Sequence, residues 1–130
     1  MKKFKIFMVI TLLLVLSSCG MSKGKQGEEI LNASFDYANE RYDEKNMFTK
    51  KNTNGYVYQD EDYYYVQLIN QQEEEDSYGK KSMIVIHDFY RIKKHDKFSV
   101  SKEDFEVYNN RDEVESKPFI YDEENIIIEE

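Results

Sequence analysis

The chain has 130 residues, with 26 acidic against 18 basic side chains and a formal charge of −8. That length allows one domain with one modest core. An acidic balance of this size argues against nucleic acid, whose phosphates need clustered Lys and Arg. The single cysteine excludes a disulfide framework and a thiolate metal site.

In chain order, Lys2, Lys3 and Lys5 come first, followed by an apolar run from Ile6 to Leu16 that only Thr11 interrupts. A positive end, an apolar stretch and small residues form the three-part pattern of a secretory signal. As a helix the run spans about 16 Å, roughly half a hydrocarbon core, which is too short for a permanent transmembrane segment. Leu16-Ser17-Ser18-Cys19 resembles the lipobox of bacterial lipoproteins. The resemblance implies cleavage after Ser18 and a diacylglyceryl thioether on Cys19, whose two acyl chains suffice for stable anchoring. Residues 1–18 are then a signal peptide, and 19–27 a lipidated cysteine with a flexible tether. The protein is expected on the extracytoplasmic face of a cell membrane, in a Gram-positive host by its lysine-rich composition. Loss of three lysines takes the formal charge from −8 to −11, so an anionic lipid surface repels the domain. Lys23 and Lys25, beside the lipid, are the exception.

Glu28 to about Lys45 reads as an amphipathic helix, with Leu31, Phe35, Ala38 and Tyr42 in one stripe. Lys50 to Gly55 is a polar linker, after which the periodicity changes from 3.6 to 2. Short strand Tyr56 to Gln59 and the turn Asp60 to Asp62 lead into strand Tyr63 to Gln71. Glu73 to Gly79 reads as a charged loop. Lys81 to Lys93 is the strongest strand, apolar on both faces around Met83 to Ile86. Phe98 to Ser101 alternates again, and Phe105 to Tyr108 continues that edge. Pro118 breaks any ladder it enters. Residues 110–130, with the isolated triplet Ile126-Ile127-Ile128, read as an acidic, loosely ordered tail.

One N-terminal helix packed on a curved antiparallel meander of about four strands, over 28–109, is an α+β pattern. With its lipobox, polar tether, helix and tyrosine-rich strands, the chain resembles small Gram-positive lipoproteins with a cystatin-like fold. Protease-inhibiting cystatins carry a Gln-x-Val-x-Gly hairpin loop; the glutamine-rich turn here, Gln71-Gln72-Glu73-Glu74-Glu75, does not match it. Cysteine-protease inhibition is not expected.

The catalytic inventory is thin. His87 and His95 each precede an aspartate, but adjacent strand residues point to opposite faces, so Asp88 is badly placed to orient His87. His95-Asp96 reads as a solvated turn. There is no Gly-x-Ser-x-Gly elbow and no Gly-rich phosphate loop. The acidic runs lack the spacing and pivoting glycine of a calcium loop. The expectation is a non-enzymatic protein with no cofactor and no metal.

Binding is the class that remains. Eleven Tyr remain in the mature chain, a residue type that suits both half-buried sheets and contact surfaces. The candidate contacts are Tyr63 and Tyr65, or their alternates Tyr64 and Val66, on whichever sheet face the helix leaves open. The resemblance implies a specific role. Exclusion lipoproteins of integrative conjugative elements block a membrane protein of the incoming conjugation machinery. The alternative is an accessory envelope or virulence lipoprotein that binds an envelope or host component. An envelope hydrolase built on His87 ranks last. Partner, contact face and oligomeric state stay open at this point.

Overall fold

The structure, a computed structural model, describes residues 22–128. One long helix, α1 (Lys23–Arg41), packs on a five-stranded antiparallel open sheet in an α+β arrangement. The strands are β1 (Thr53–Gln59), β2 (Tyr63–Glu75), β3 (Lys81–Lys93), β4 (Phe105–Val107) and β5 (Phe119–Glu123), in the order β4-β3-β2-β1-β5. A 3-10 turn, Lys102–Asp104, precedes β4, and a short helix, α2 (Arg111–Ser116), precedes β5.

α1 begins well before the expected Glu28. Ser22 caps it, its hydroxyl accepting the Lys25 N–H at 3.2 Å. Gly24 and Gly27 give this stretch the look of a tether, yet Gly27 is buried. A Cβ there would overlap Cβ and the ring of Tyr121 on β5, so this glycine answers a close approach, not a need for flexibility. The helix ends before the expected Lys45: Tyr42 is its C-cap and Asp43 adopts a left-handed φ of 55°.

The helix stripe faces one side of the sheet. Ile30, Leu31, Phe35 and Ala38 pack against Val57, Tyr64, Val66, Leu68, Tyr90, Ile92 and Phe105. The sheet contribution follows from register, since Val57 pairs with Val66 and Val66 with Tyr90, and paired residues share a face. Each fully buried aliphatic side chain in such a core is worth about 1.5–3 kcal/mol. Gly55 marks where the helix crosses β1, because a Cβ would lie 2.7 Å from the Leu31 side chain. β1 therefore starts inside the expected linker.

The loop from α1 to β1 is tied down by amides. Asn39 grips Phe48 twice, accepting its N–H at 2.7 Å and donating to its C=O at 3.0 Å. The Met47 carbonyl receives donors from Asn52, Asn70 and Gln72 at 3.0, 2.9 and 2.6 Å. Satisfying buried polar groups in this way is what allows Asn70 and Thr53 to be fully buried.

Three expectations are corrected. Glu73 to Glu75 are not loop but the end of β2, paired with Met83, Ser82 and Lys81 as a ribbon that extends past β1. Phe98 to Ser101 forms no strand; Phe98 and Val100 pack on the core as coil. The stretch from 110 is no loose tail, because α2 and β5 lie within it and β5 pairs with β1 across a register shift between Val57 and Tyr58. This fifth strand is long-range pairing, invisible to local periodicity.

Candidate interaction surface

The tyrosine run that opens β2 is divided between the two faces of the sheet. Tyr64 points under α1 and is 8% exposed; Tyr65 points the other way and is 2% exposed. Tyr65 packs with Phe89 and Val114, the one buried residue of α2. Both are thus core residues, and the expected contact role is corrected for them. Tyr63, half-buried, carries the Arg91 guanidinium 4.3 Å from its ring centroid, and Arg91 lies 4.4 Å from Tyr108 on its other side. Such cation–π stacking ties β2, β3 and the chain after β4 together.

Asp60 locks this face. Its carboxylate accepts the Tyr65 hydroxyl at 2.7 Å and the N–H groups of Asp62 and Tyr63 at 2.9 and 2.8 Å. Lys117 stands 3.3 Å away. Burial alone would raise this carboxyl, but the hydrogen bonds and the ammonium outweigh it and bring it down to about 2. Burial, with the Asp60 bond, pushes the Tyr65 phenol well above its ordinary value.

On the helix side, Asp88 is buried and accepts from Tyr42 at 2.9 Å, Tyr90 at 2.5 Å and Arg41 at 3.1 Å. This cluster pins the end of α1 to β3. His87 is half-buried on the opposite face, in register with Ile69, so Asp88 does not orient it. His95 and Asp96 are exposed in the turn after β3, and the His95 Nε2 lies 2.8 Å from Asp104 Oδ1. Asp104 Oδ2 also accepts the Ser101 hydroxyl at 3.0 Å. The carboxylate thus sits between serine and histidine. Nucleophile activation needs the imidazole in the middle, taking the serine proton, so this trio caps the 3-10 turn and leaves Ser101 unactivated.

Exposed apolar side chains are spread over the described surface: Phe119, 55% exposed, lies opposite Tyr58 near the β1–β2 turn, and Val107 lies on β4. Tyr78 at the β2–β3 tip is 94% exposed and Met83 54%, and Ile127 is 86% exposed. Beside them lies a shallow groove of about 490 Å³, lined by Lys51, Asn52, Gln71, Met83, Asn125, Ile126 and Ile127. Asn54 builds its wall: its Oδ1 accepts the N–H groups of Asn125 and Ile126 at 2.6 and 2.9 Å, and its Nδ2 donates to the Ile126 carbonyl at 3.0 Å. Asn125 returns a bond to the Thr53 carbonyl at 3.0 Å. This groove was hidden in the sequence, although the apolar triplet at Ile126 marks one side of it.

The opposite end holds the start of the helix. Lys23 lies close enough to Lys94 for its charge to lower that ammonium further, beyond the effect of burial. Lys94 N–H bonds the Asp62 carbonyl at the β1–β2 turn. From that turn β2 runs 13 residues to the ribbon tip, about 40 Å at strand rise.

Leu16, Ser17, Ser18 and Cys19, with the whole signal segment, lie outside the described residues. Among the described residues, no helix is long and apolar enough to cross a membrane and no group of three or more acidic, His or Cys side chains is placed to hold a metal. Comparison of the chain with family models, curated proteins and solved structures returned no match.

Proposed function

We propose that the chain is a lipid-anchored, extracytoplasmic protein-binding module without enzymatic activity. In its most specific form it is an exclusion lipoprotein that acts on a membrane protein of an incoming conjugation machinery. The anchor reading rests on Leu16-Ser17-Ser18-Cys19 after an apolar run. The binding reading rests on one observation, the groove that Met83 of β3 and Ile126 and Ile127 line together, with Met83 and Ile127 exposed. Confinement to one membrane raises the effective concentration of any partner there, so a weak contact suffices.

The test is a mating assay. Recipient cells make the wild-type chain, Cys19→Ala, or a Met83→Glu, Ile127→Glu double variant, and meet donors carrying the conjugative element. Transfer should fall sharply with the wild type and recover with both variants. Unchanged transfer, with the protein confirmed at the cell surface, would overturn the exclusion role and leave the accessory envelope lipoprotein as the reading.

A further inference from the structure

We infer that the domain rests on the bilayer that anchors it, docking through the end that holds the β1–β2 turn and setting Phe119 among the phospholipid headgroups. This contact presupposes the diacylglyceryl anchor on Cys19 proposed above. A flexible tether over 19–27, as the sequence suggests, would reach about 32 Å and let the domain float clear of the lipid. The fold shortens it. α1 begins at Lys23 under its Ser22 cap, and the four residue steps back to Cys19 span at most about 14 Å. The headgroup layer is itself about 5–7 Å thick. The first turn of α1 is therefore held within roughly 10 Å of the headgroups.

The packing of the helix decides which end of the sheet comes down with it. Leu31 crosses β1 at Gly55, and one turn earlier Gly27 meets Tyr121, the partner of Val57. Running back along α1 thus moves along β1 towards its turn with β2, and Lys23 lies one turn further on. β3 ends here, with Lys93 paired to Tyr63 and the Lys94 Nζ donating to Gln59 Oε1 at 2.8 Å. β5 begins here, with Phe119 opposite Tyr58 and the Pro118 carbonyl accepting the Gln59 N–H at 2.9 Å.

Two features fit this end to a phospholipid surface. The Phe119 ring is 55% exposed, its centroid 5.9 Å from that of Tyr58. An exposed ring held at headgroup depth gains by trading water for the acyl boundary. The second feature is charge. Among the described residues, Lys50, Lys81, Lys102, Lys117, Arg41, Arg91 and Arg111 each lie within 4.0 Å of a carboxylate. Lys23, Lys25, Lys93 and Lys97 are exposed at this end without such a partner. Together with Lys94 they offset Glu28, Glu29, Glu61, Asp62, Asp96 and Asp104, which leaves the end near neutral in a chain of −8. An anionic bilayer repels the rest of the domain and spares this end. Tether length and Phe119 select the contact, and the lysines remove the obstacle to it. Gln71, on the groove wall, lies eight residues beyond Tyr63 along β2, about 27 Å at strand rise, so docking leaves the groove open.

The chain has no Trp, so Phe119→Trp and Tyr78→Trp each install a lone fluorophore, one at the docked end and one at the ribbon tip. Each variant of the whole chain is made in cells, purified in detergent and returned to vesicles of phosphatidylcholine and phosphatidylglycerol, with acyl chains brominated or not. Mass spectrometry reads the lipid on Cys19, and flotation reads attachment. Brominated lipid should quench Phe119→Trp at least about twofold and leave Tyr78→Trp nearly unchanged, since only a ring at the acyl boundary meets bromine. A floating chain whose Phe119→Trp is quenched no more than Tyr78→Trp overturns the docking alone. A chain that carries no lipid overturns the anchor, and the docking falls with it. Should Phe119→Trp unfold, Lys97→Trp reads the same end.

Discussion

Gly27 of α1 and Tyr121 of β5 approach so closely that no side chain fits between them. The contact joins the start of the helix to the last strand of the sheet, so a change at either residue reads out the docking of both elements.

Gly27→Ala should destabilise the fold. Overpacking costs about 1–3 kcal/mol, more than the helix gains from replacing an interior glycine, about 1 kcal/mol. Gly24→Ala is the control: nothing lies within 4 Å of its added methyl, and the substitution should stabilise. Urea unfolding of the two variants should shift the midpoint in opposite directions.

Asp88→Ala should be among the most damaging changes on the helix face. It strips Tyr42, Tyr90 and Arg41 of a shared acceptor, and a buried donor left unpaired costs about 1–3 kcal/mol. Tyr42→Phe removes one donor and leaves the carboxylate two others, so its cost should be the smaller. Thermal melts of both variants order the two effects.

Asp60 predicts an acid-sensitive face. Its folded value, about 2, lies below the ordinary carboxylate value of about 3.9. The carboxylate therefore contributes stability above pH 4, and the contribution fades as pH falls from about 4 through 2. Asp60→Asn should flatten the stability profile in that window while lowering stability at neutral pH. Denaturant titrations at pH 2.5, 4 and 7 would show it; equal losses at all three would refute it.

Val114→Asp should release α2, because Val114 is the only buried residue of that helix. Tyr65 and Phe89 would then lose their cover, whereas the α1 core on the other face should hold. Hydrogen exchange should accelerate through Arg111–Ser116 and change little through Lys23–Arg41. Uniform acceleration across the chain would contradict this division into two faces.

The parts of the fold legible in sequence are those with short-range periodicity. Leu31, Phe35 and Ala38 mark the buried stripe of α1, and the aromatic and aliphatic richness of Tyr63 to Gln71 and Lys81 to Lys93 marks two strands. What sequence concealed depends on distant partners. Gly24 and Gly27 look like tether because the reason for Gly27 is Tyr121. Asn54 looks like linker because its bonds go to Asn125 and Ile126. The candidate surface was misplaced for a related reason. Alternation tells that Tyr64 and Tyr65 oppose each other, but much of the cover over Tyr65, Val114, Tyr108 and Lys117, comes from the segment after β4, which has no helical period. The hydrogen bond of His95 was not legible because its partner is Asp104, not the adjacent Asp96.

The return of β5 beside β1 also sets an order of events. As the chain emerges from its N-terminal side, α1 comes first and the strand that seats its opening turn comes after every other strand. Until Tyr121 appears, the first half of α1 lacks that packing partner, and closing so distant a contact is slow compared with local pairing. A chain wired in this fashion stays unlocked until its late residues are available, and β5 acts as the latch.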